Sequence, residues 1–195
     1  MKNIMKNSLV LVVLFSTFLA IANSLSKVYV DGSNTTITLS NLKQGNEIFV
    51  KDADGSTLYS ETIKVSGDYI KNFDLSKLPN GNYYFEINKG LEIKMIHFTV
   101  EEAVAVFEKE NETVIFKPFV TSDENLVSVS KLSLNEQPLE INIYFDDNGF
   151  NLIHSETIDN TQNISRIYSL NKAKKGDYRI VTKTDGRTFV DYVRL

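Results

Sequence analysis

From Lys27 onward the apolar side chains recur mainly at every second position, as in "TITLSNL" (36–42), "EIFVKD" (47–52), "YIKNFDL" (69–75) and "GNYYFEI" (81–87). A period of two places alternate side chains on opposite faces of an extended chain, whereas a helix would repeat near 3.6. The same pattern returns in "LVSVSKLSL" (126–134), "LEINIYF" (139–145), "ISRIYSL" (164–170), "GDYRIVTK" (176–183) and "RTFVDYVRL" (187–195). Turn formers separate these runs, and the apolar positions are rich in β-branched and aromatic residues. The pattern predicts an all-β chain of about seven short strands per half, arranged as antiparallel, immunoglobulin-like or fibronectin-like sandwiches. A single large barrel is the rival architecture. "DLSKLPNG" (74–81) and "SLNKAKKG" (169–176) each leave room for one short helical turn and nothing longer.

The chain resembles itself. At an offset of 95, Ser60–Val100 lies on Ser155–Leu195 without gaps: "SETI" is identical in both, Leu75 meets Leu170, Gly81 meets Gly176 and Tyr83 meets Tyr178. At an offset of 90, Lys27–Leu42 lies on Lys117–Leu132, and the extra residues of the second copy fall around "LNEQPLE" (134–140). A chain that repeats end to end favours two tandem homologous sandwiches over one barrel, and the repeat predicts units at 25–101 and 102–195. No Gly/Ser-rich linker separates them, so the units are expected to sit close together. "AVAVFEKENETVIFKPF" (103–119) reads as a hairpin turning at "KENE".

The first residues change the picture of compartment. Lys2 and Lys6 precede an apolar run from Leu9 to Ala22 that ends in "AIA" (20–22), the form of an export signal spanning 1–22. The run is shorter than the roughly 20 apolar residues of a spanning helix, so a membrane anchor is the weaker reading and no transmembrane segment is expected in the mature chain. Removing the signal takes away two lysines, leaving 19 basic against 25 acidic residues, a net charge of −6. That balance argues against a nucleic-acid partner. The chain has no cysteine, so an exported fold must rest on apolar burial without disulfides.

Little in the sequence points to catalysis. The two histidines, His97 and His154, lie on predicted strands, and the repeat exchanges each with tyrosine (Tyr192 and Tyr59), which fits half-exposed strand positions better than ligands or general bases. "DADGSTLYSETI" (52–63) and "DDNGFNLIHSETI" (146–158) invite a calcium-loop reading. With Gly55 as the sixth position, however, Val50 stands first, and in the second copy Tyr144 and Ser155 occupy the first and twelfth, so neither completes the ligand set. Asp54-Gly55 and Asn148-Gly149 are instead dipeptides of tight hairpins. Glu61 and Glu156 recur at matched strand positions, where charge protects a sheet edge from pairing. No catalytic, cofactor or metal residue is assigned. Strand aromatics remain as candidate ligand-binding residues: Tyr84, which must point outward if Tyr83 and Phe85 face the core, and more weakly Tyr59 and Tyr69.

The run "DADGSTLYSETI…FDLSKLPNGNYYFEINKG" is similar to the β-sandwich modules of secreted Bacteroidetes, notably flavobacterial, proteins. Among these are the C-terminal sorting modules of the type IX (Por) secretion system. Ile48, Val50, Asp52 and Gly55 match the family's "I-x-V-x-D-x-x-G" element, and Asp74, Leu75, Ser76, Leu78, Gly81 and Tyr83 match its "D-L-S-x-L-x-x-G-x-Y" element. The second unit keeps Leu170, Gly176 and Tyr178 but has Ser169 and Ala173 where Asp and Leu would stand. The resemblance implies export to the periplasm and onward to the cell surface or outside, with secretion machinery, surface proteins or glycans as partners. The duplication, together with the lack of any catalytic constellation in the sequence, points to a structural or adhesive module with no enzymatic activity. A carbohydrate- or protein-binding accessory protein is the alternative.

Overall fold

The structure, a computed structural model, describes residues 26–31, 34–170 and 175–195. The expected export signal lies outside the described residues. Alternation dominates the result: fifteen strands and one 3-10 turn make up the regular structure of the described residues. β1 (Ser26–Asp31), β2 (Asn34–Leu42) and β5 (Gly67–Asp74) form one antiparallel sheet in the order β1-β2-β5. β4 (Thr57–Thr62), β3 (Glu47–Asp52), β6 (Gly81–Asn88), β7 (Glu92–Glu101) and β8 (Val104–Phe116) form a second, in that order. Their inward faces enclose one apolar core in which Ile37, Leu42, Ile48, Phe85, Ile87 and Val100 have at most 1% of their surface exposed. The Phe85 ring is flanked by Phe73 at 5.1 Å and Phe98 at 5.3 Å, edge-on and tilted arrangements that suit aromatic quadrupoles.

The remaining strands build a second sandwich by the same plan. β9 (Phe119–Asp123), β10 (Leu126–Leu132) and β13 (Asn163–Ser169) form a sheet in the order β13-β10-β9. β12 (Phe150–Ile158), β11 (Leu139–Asp146), β14 (Asp177–Thr184) and β15 (Arg187–Arg194) form its partner, in that order. Val127, Val129, Leu139, Ile141, Ile143, Tyr178 and Ile180, all fully buried, fill a separate core. The pairing order of β9–β15 therefore repeats that of β1–β7.

Strand register refines the internal alignment. Tyr83 opposite Phe98 and Tyr178 opposite Val193 preserve the offset of 95. Val28 opposite Ile37 answers Val120 opposite Val129, an offset of 92 where residue matching alone suggested 90. The difference is an even number of residues, so the same faces stay buried.

Two expectations meet a different outcome at the junction. β8 is a single strand and not a hairpin: it pairs along β7 from Glu92 opposite Phe116 to Glu101 opposite Val104, with a register shift between Ile96 and Phe98 that absorbs the "KENE" residues. The expected division at 101/102 falls between these two hydrogen-bonded strands, whereas the break in pairing comes between Phe116 and Phe119. β8 covers an edge of the first sandwich that has no counterpart in β9–β15.

The sandwiches touch through charge. Glu86 lies on the outer face of the five-stranded sheet yet keeps only 3% exposure. Lys51 on the adjacent strand approaches its carboxylate at 3.0 Å, and Arg187, at the tip of the β14–β15 hairpin, does so at 2.5 Å. Arg187 also reaches the sulfur of Met95 at 3.6 Å. Burial works against the charged Glu86 carboxylate, but hydrogen bonds from Arg187 and Lys51 outweigh it and hold its pKa below the usual value. Beside this contact Val114–Phe116 meet Lys131–Asn135 and Asp185 in a small cleft, where the nearly buried Lys131 ammonium pairs with Asp185 at 3.1 Å.

Candidate functional site

The residues that carry the family resemblance build the turns of the first sandwich. Ile48 and Val50 point into the core, so β3 delivers Asp52 to its end. There the Asp52 carboxylate accepts the backbone N–H of Asp54 at 3.1 Å and of Ser56 at 2.8 Å, and its carbonyl accepts the N–H of Gly55 at 3.0 Å. Gly55 sits at φ +84°, a left-handed conformation that only glycine adopts without strain. The loop's carboxylate is thus spent on its own backbone, the arrangement of a hairpin turn. In the second copy Asp146 likewise accepts the N–H of Gly149, at 3.0 Å. Among the described residues no group of three or more His, Asp or Glu converges as a metal site.

The second element shapes the passage from β5 to β6. Asp74 accepts the Ser76 hydroxyl at 2.6 Å and pairs with Lys77 at 3.0 Å, closing the 3-10 turn Leu75–Lys77 that drops Leu75 into the core. Tyr83 stacks on Phe98 at 5.5 Å and donates its O–H to the Pro79 carbonyl at 2.8 Å. A buried tyrosine tied back to the chain a few residues upstream is a known way of fixing the corner of an immunoglobulin-like sandwich. Leu170 and Tyr178 take the matching core places in the second unit. The short helical turn expected there falls on residues outside the described ones.

The three tyrosines singled out from the sequence occupy two separate places. Tyr59 and Tyr69 are brought together: both are half-buried against the first core, and both donate to the Glu61 carboxylate, Tyr69 at 2.9 Å. Lys71 completes the group, reaching Glu61 at 2.7 Å and the Tyr59 hydroxyl. Hydrogen bonds from Lys71, then Tyr59 and Tyr69, lower the Glu61 pKa to about 2, while burial and the same carboxylate push the Tyr69 hydroxyl up. Glu61 lies on edge strand β4 and its partners Tyr69 and Lys71 on β5, so the cluster clasps the two sheets along one side.

The clasp recurs in the second sandwich. Glu156 accepts the Tyr168 hydroxyl and lies 3.5 Å from Arg166. The Tyr59–Phe73 ring pair at 5.3 Å is matched by His154–Tyr168 at 5.0 Å. His154 therefore stands where Tyr59 stands, as the side of an aromatic pair.

Tyr84 lies apart, half-exposed on the outer face of the five-stranded sheet, with its ring 5.6 Å from His97 and Lys51 directly opposite on β3. Sequence reasoning passed over a second surface group, on the outer face of β11, β12, β14 and β15. There the Arg179 guanidinium stacks 4.6 Å from the Tyr144 ring and 4.5 Å from the Phe150 ring, and Tyr192 meets Phe150 at 6.0 Å. Alternation in "YRIV" assigns Arg179 to the outer face, but no local signal shows that two rings from another hairpin enclose it.

With this geometry in place, comparison with known proteins is specific for the first unit. The family model described as the secretion system C-terminal sorting domain matches residues 27–101, the span from β1 through β7. The resemblance read from the motif is thus found where the motif lies, in an all-β sandwich module. No curated protein matches the chain.

Solved structures similar to it are β-rich. A biofilm-associated protein BSP domain shares 16% identity at a TM-score of 0.28, over 87% of this chain and 29% of that one, so the chain spans under a third of that protein's length. The human OSCAR ligand-binding domain shares 8% at 0.26, over 87% and 96%. The receptor tyrosine kinase Torso shares 10% at 0.26, over 88% and 72%. None of these likenesses bears on function. No helix among the described residues is long and apolar enough to cross a membrane.

Proposed function

We propose that the protein is an exported, non-enzymatic protein of two copied β-sandwich units, handled by the type IX secretion route and serving a structural or adhesive role at the cell surface or outside. The observation that carries this reading is the family match over residues 27–101, in which the motif residues Asp52, Gly55, Asp74, Leu75 and Tyr83 build the turns and corner of the first sandwich. The common strand order of β1–β7 and β9–β15 and the recurring Glu61 and Glu156 clasps support a duplication, with β8 added to the first unit. Residues 1–22 serve as the cleaved export signal in this reading.

The test follows an epitope-tagged full-length chain by fractionating cells of a type IX-competent strain and of a secretion-deficient derivative. Recovery from the outer surface or medium of the competent strain, with periplasmic retention in the derivative, supports the assignment. The same distribution in both strains refutes it.

The alternative, a glycan- or protein-binding accessory through the candidate tyrosines, narrows to Tyr84. Tyr59 and Tyr69 spend their hydroxyls on Glu61, whereas Tyr84 keeps part of its ring open beside His97. A glycan-array or pull-down signal lost in Tyr84→Ala would favour that alternative over a purely structural role.

A further inference from the structure

We propose that the chain associates head to tail with a second copy of itself. In this contact the β7–β8 turn of one copy's first sandwich lies on the Arg179 face of the next copy's second sandwich. The receiving face is the outer side of the sheet β12-β11-β14-β15. Tyr192 (66% exposed), Leu152 (54%) and Val190 (47%) stand open there around the stacked Arg179, Tyr144 and Phe150. Aromatic and aliphatic side chains about an arginine are the composition of an interface centre, not of an ordinary wetted surface.

The charge on this face is incomplete. Lys183 is matched by Glu140 at 3.0 Å and Arg194 by Asp177 at 3.5 Å. Arg179 pairs with no described carboxylate, and its Nε is closed off from solvent without an acceptor. The two rings fix the guanidinium in one plane, so an incoming carboxylate meets a donor already oriented and loses little further side-chain freedom.

The complement lies on the same chain. Glu101, the last residue of β7, and Glu102, in the Glu102–Ala103 turn that follows, are both exposed, and beyond them Val104 and Val106 are each half-exposed on the outer side of edge strand β8. Neither glutamate pairs with a described cation. Like charge next to like charge leaves this turn in want of a positive partner, and the two valines offer apolar area beside it. β8 runs back along the ten residues of β7, roughly 30 Å, from the turn to the junction with the second sandwich, which puts the acidic turn at the pole of the first unit remote from that junction. A contact between different surfaces of identical chains leaves each added copy with one free surface of each kind, so association continues beyond a dimer.

Sedimentation velocity of the mature full chain, from micromolar to submillimolar concentration, tests the proposal together with charge reversal. The expected result is an average mass that rises with concentration past that of a dimer. Arg179→Glu and the double change Glu101→Arg with Glu102→Arg each weaken association by about tenfold or more. The combined triple variant recovers most of the loss, because the pair is restored with its signs exchanged. Glu101 and Glu102 are exposed and Arg179 is half-buried on the outer sheet face, and urea midpoints close to wild type verify that the variants fold. A chain that stays monomeric throughout overturns the proposal, as does association indifferent to both reversals or a triple variant no better than the single ones. A monomeric chain that binds a poly-glutamate peptide through Arg179 would likewise overturn it and assign the face to a foreign acidic partner.

Discussion

Neutralising Glu86 isolates the contact between the sandwiches. Glu86→Gln keeps the shape and the hydrogen-bonding oxygen but removes the charge that Lys51 and Arg187 share. The Glu86 side chain is 4% exposed, and those of its partners 17% and 26%, so water replaces little of what is lost. At 3.0 Å and an effective dielectric of about 20, each contact supplies roughly 5 kcal/mol of attraction, against several kcal/mol for dehydrating the ions. Breaking a buried pair from one side costs about 3–5 kcal/mol, and the amide retained in Gln places the expected loss near 3 kcal/mol. Urea unfolding at neutral pH reads it directly. A double-mutant cycle with Arg187→Met then assigns the share that crosses between the units, for which a coupling of at least about 1 kcal/mol is expected. The pH dependence has a fixed sign. Because the folded pKa of Glu86 lies below the unfolded value, its contribution is fully present above about 4.5 and is lost as pH falls through the lower folded value. A loss under about 0.5 kcal/mol, or no coupling to Arg187, would refute the reasoning, since exposed surface pairs behave that way.

Two further perturbations probe the clasp and the turn. Glu61→Gln removes the acceptor of Lys71, Tyr59 and Tyr69. The lowered pKa alone would correspond to about 3 kcal/mol, but with 36% of its side chain exposed, solvent screening reduces the expected cost to about 1 kcal/mol. That difference from wild type, read by urea midpoints across pH, should be complete above pH 4.5 and shrink between there and about 2. Gly55→Ala places a Cβ 3.7 Å from the Tyr84 hydroxyl, an ordinary contact, so the φ of +84° sets the cost at about 1–2 kcal/mol, measurable as a lowered thermal midpoint.

Period-two alternation made most of this fold legible, because a buried sheet face admits few polar residues. Phe85, Ile87, Ile141 and Ile143 fall on alternate positions of their apolar runs and are all core residues. Asp52-x-x-Gly55 could be read as a turn because glycine is needed there for a local reason. The failures have a different origin. The "KENE" residues have the composition of a turn and so suggest a hairpin, whereas the pairing of β8 along β7 takes up this stretch in a register shift. Glu86 reads as a solvated outer position, yet it is buried with its carboxylate held by Lys51 on the neighbouring strand and by Arg187, 101 residues later. Tyr59 and Tyr69 read as exposed strand aromatics, whereas both are half-buried against the first core. Their convergence on Glu61 depends on β4 and β5 meeting at one side of the sandwich, a relation between sheets that alternation within a strand does not encode. The rings around Arg179 escaped for the same reason.

The account rests on two separate apolar interiors, and the effect of Phe85→Ala on residue-resolved amide hydrogen exchange tests that most directly. Phe85 is fully buried and lies only in the first core, and losing its ring should cost about 3–5 kcal/mol. Protection is expected to fall across β2 to β7 while the central amides of β10, β11 and β14 keep most of theirs, beyond a modest loss at the Arg187 contact. An equal fall in both halves would mean that one continuous core holds the chain together, and would contradict the account.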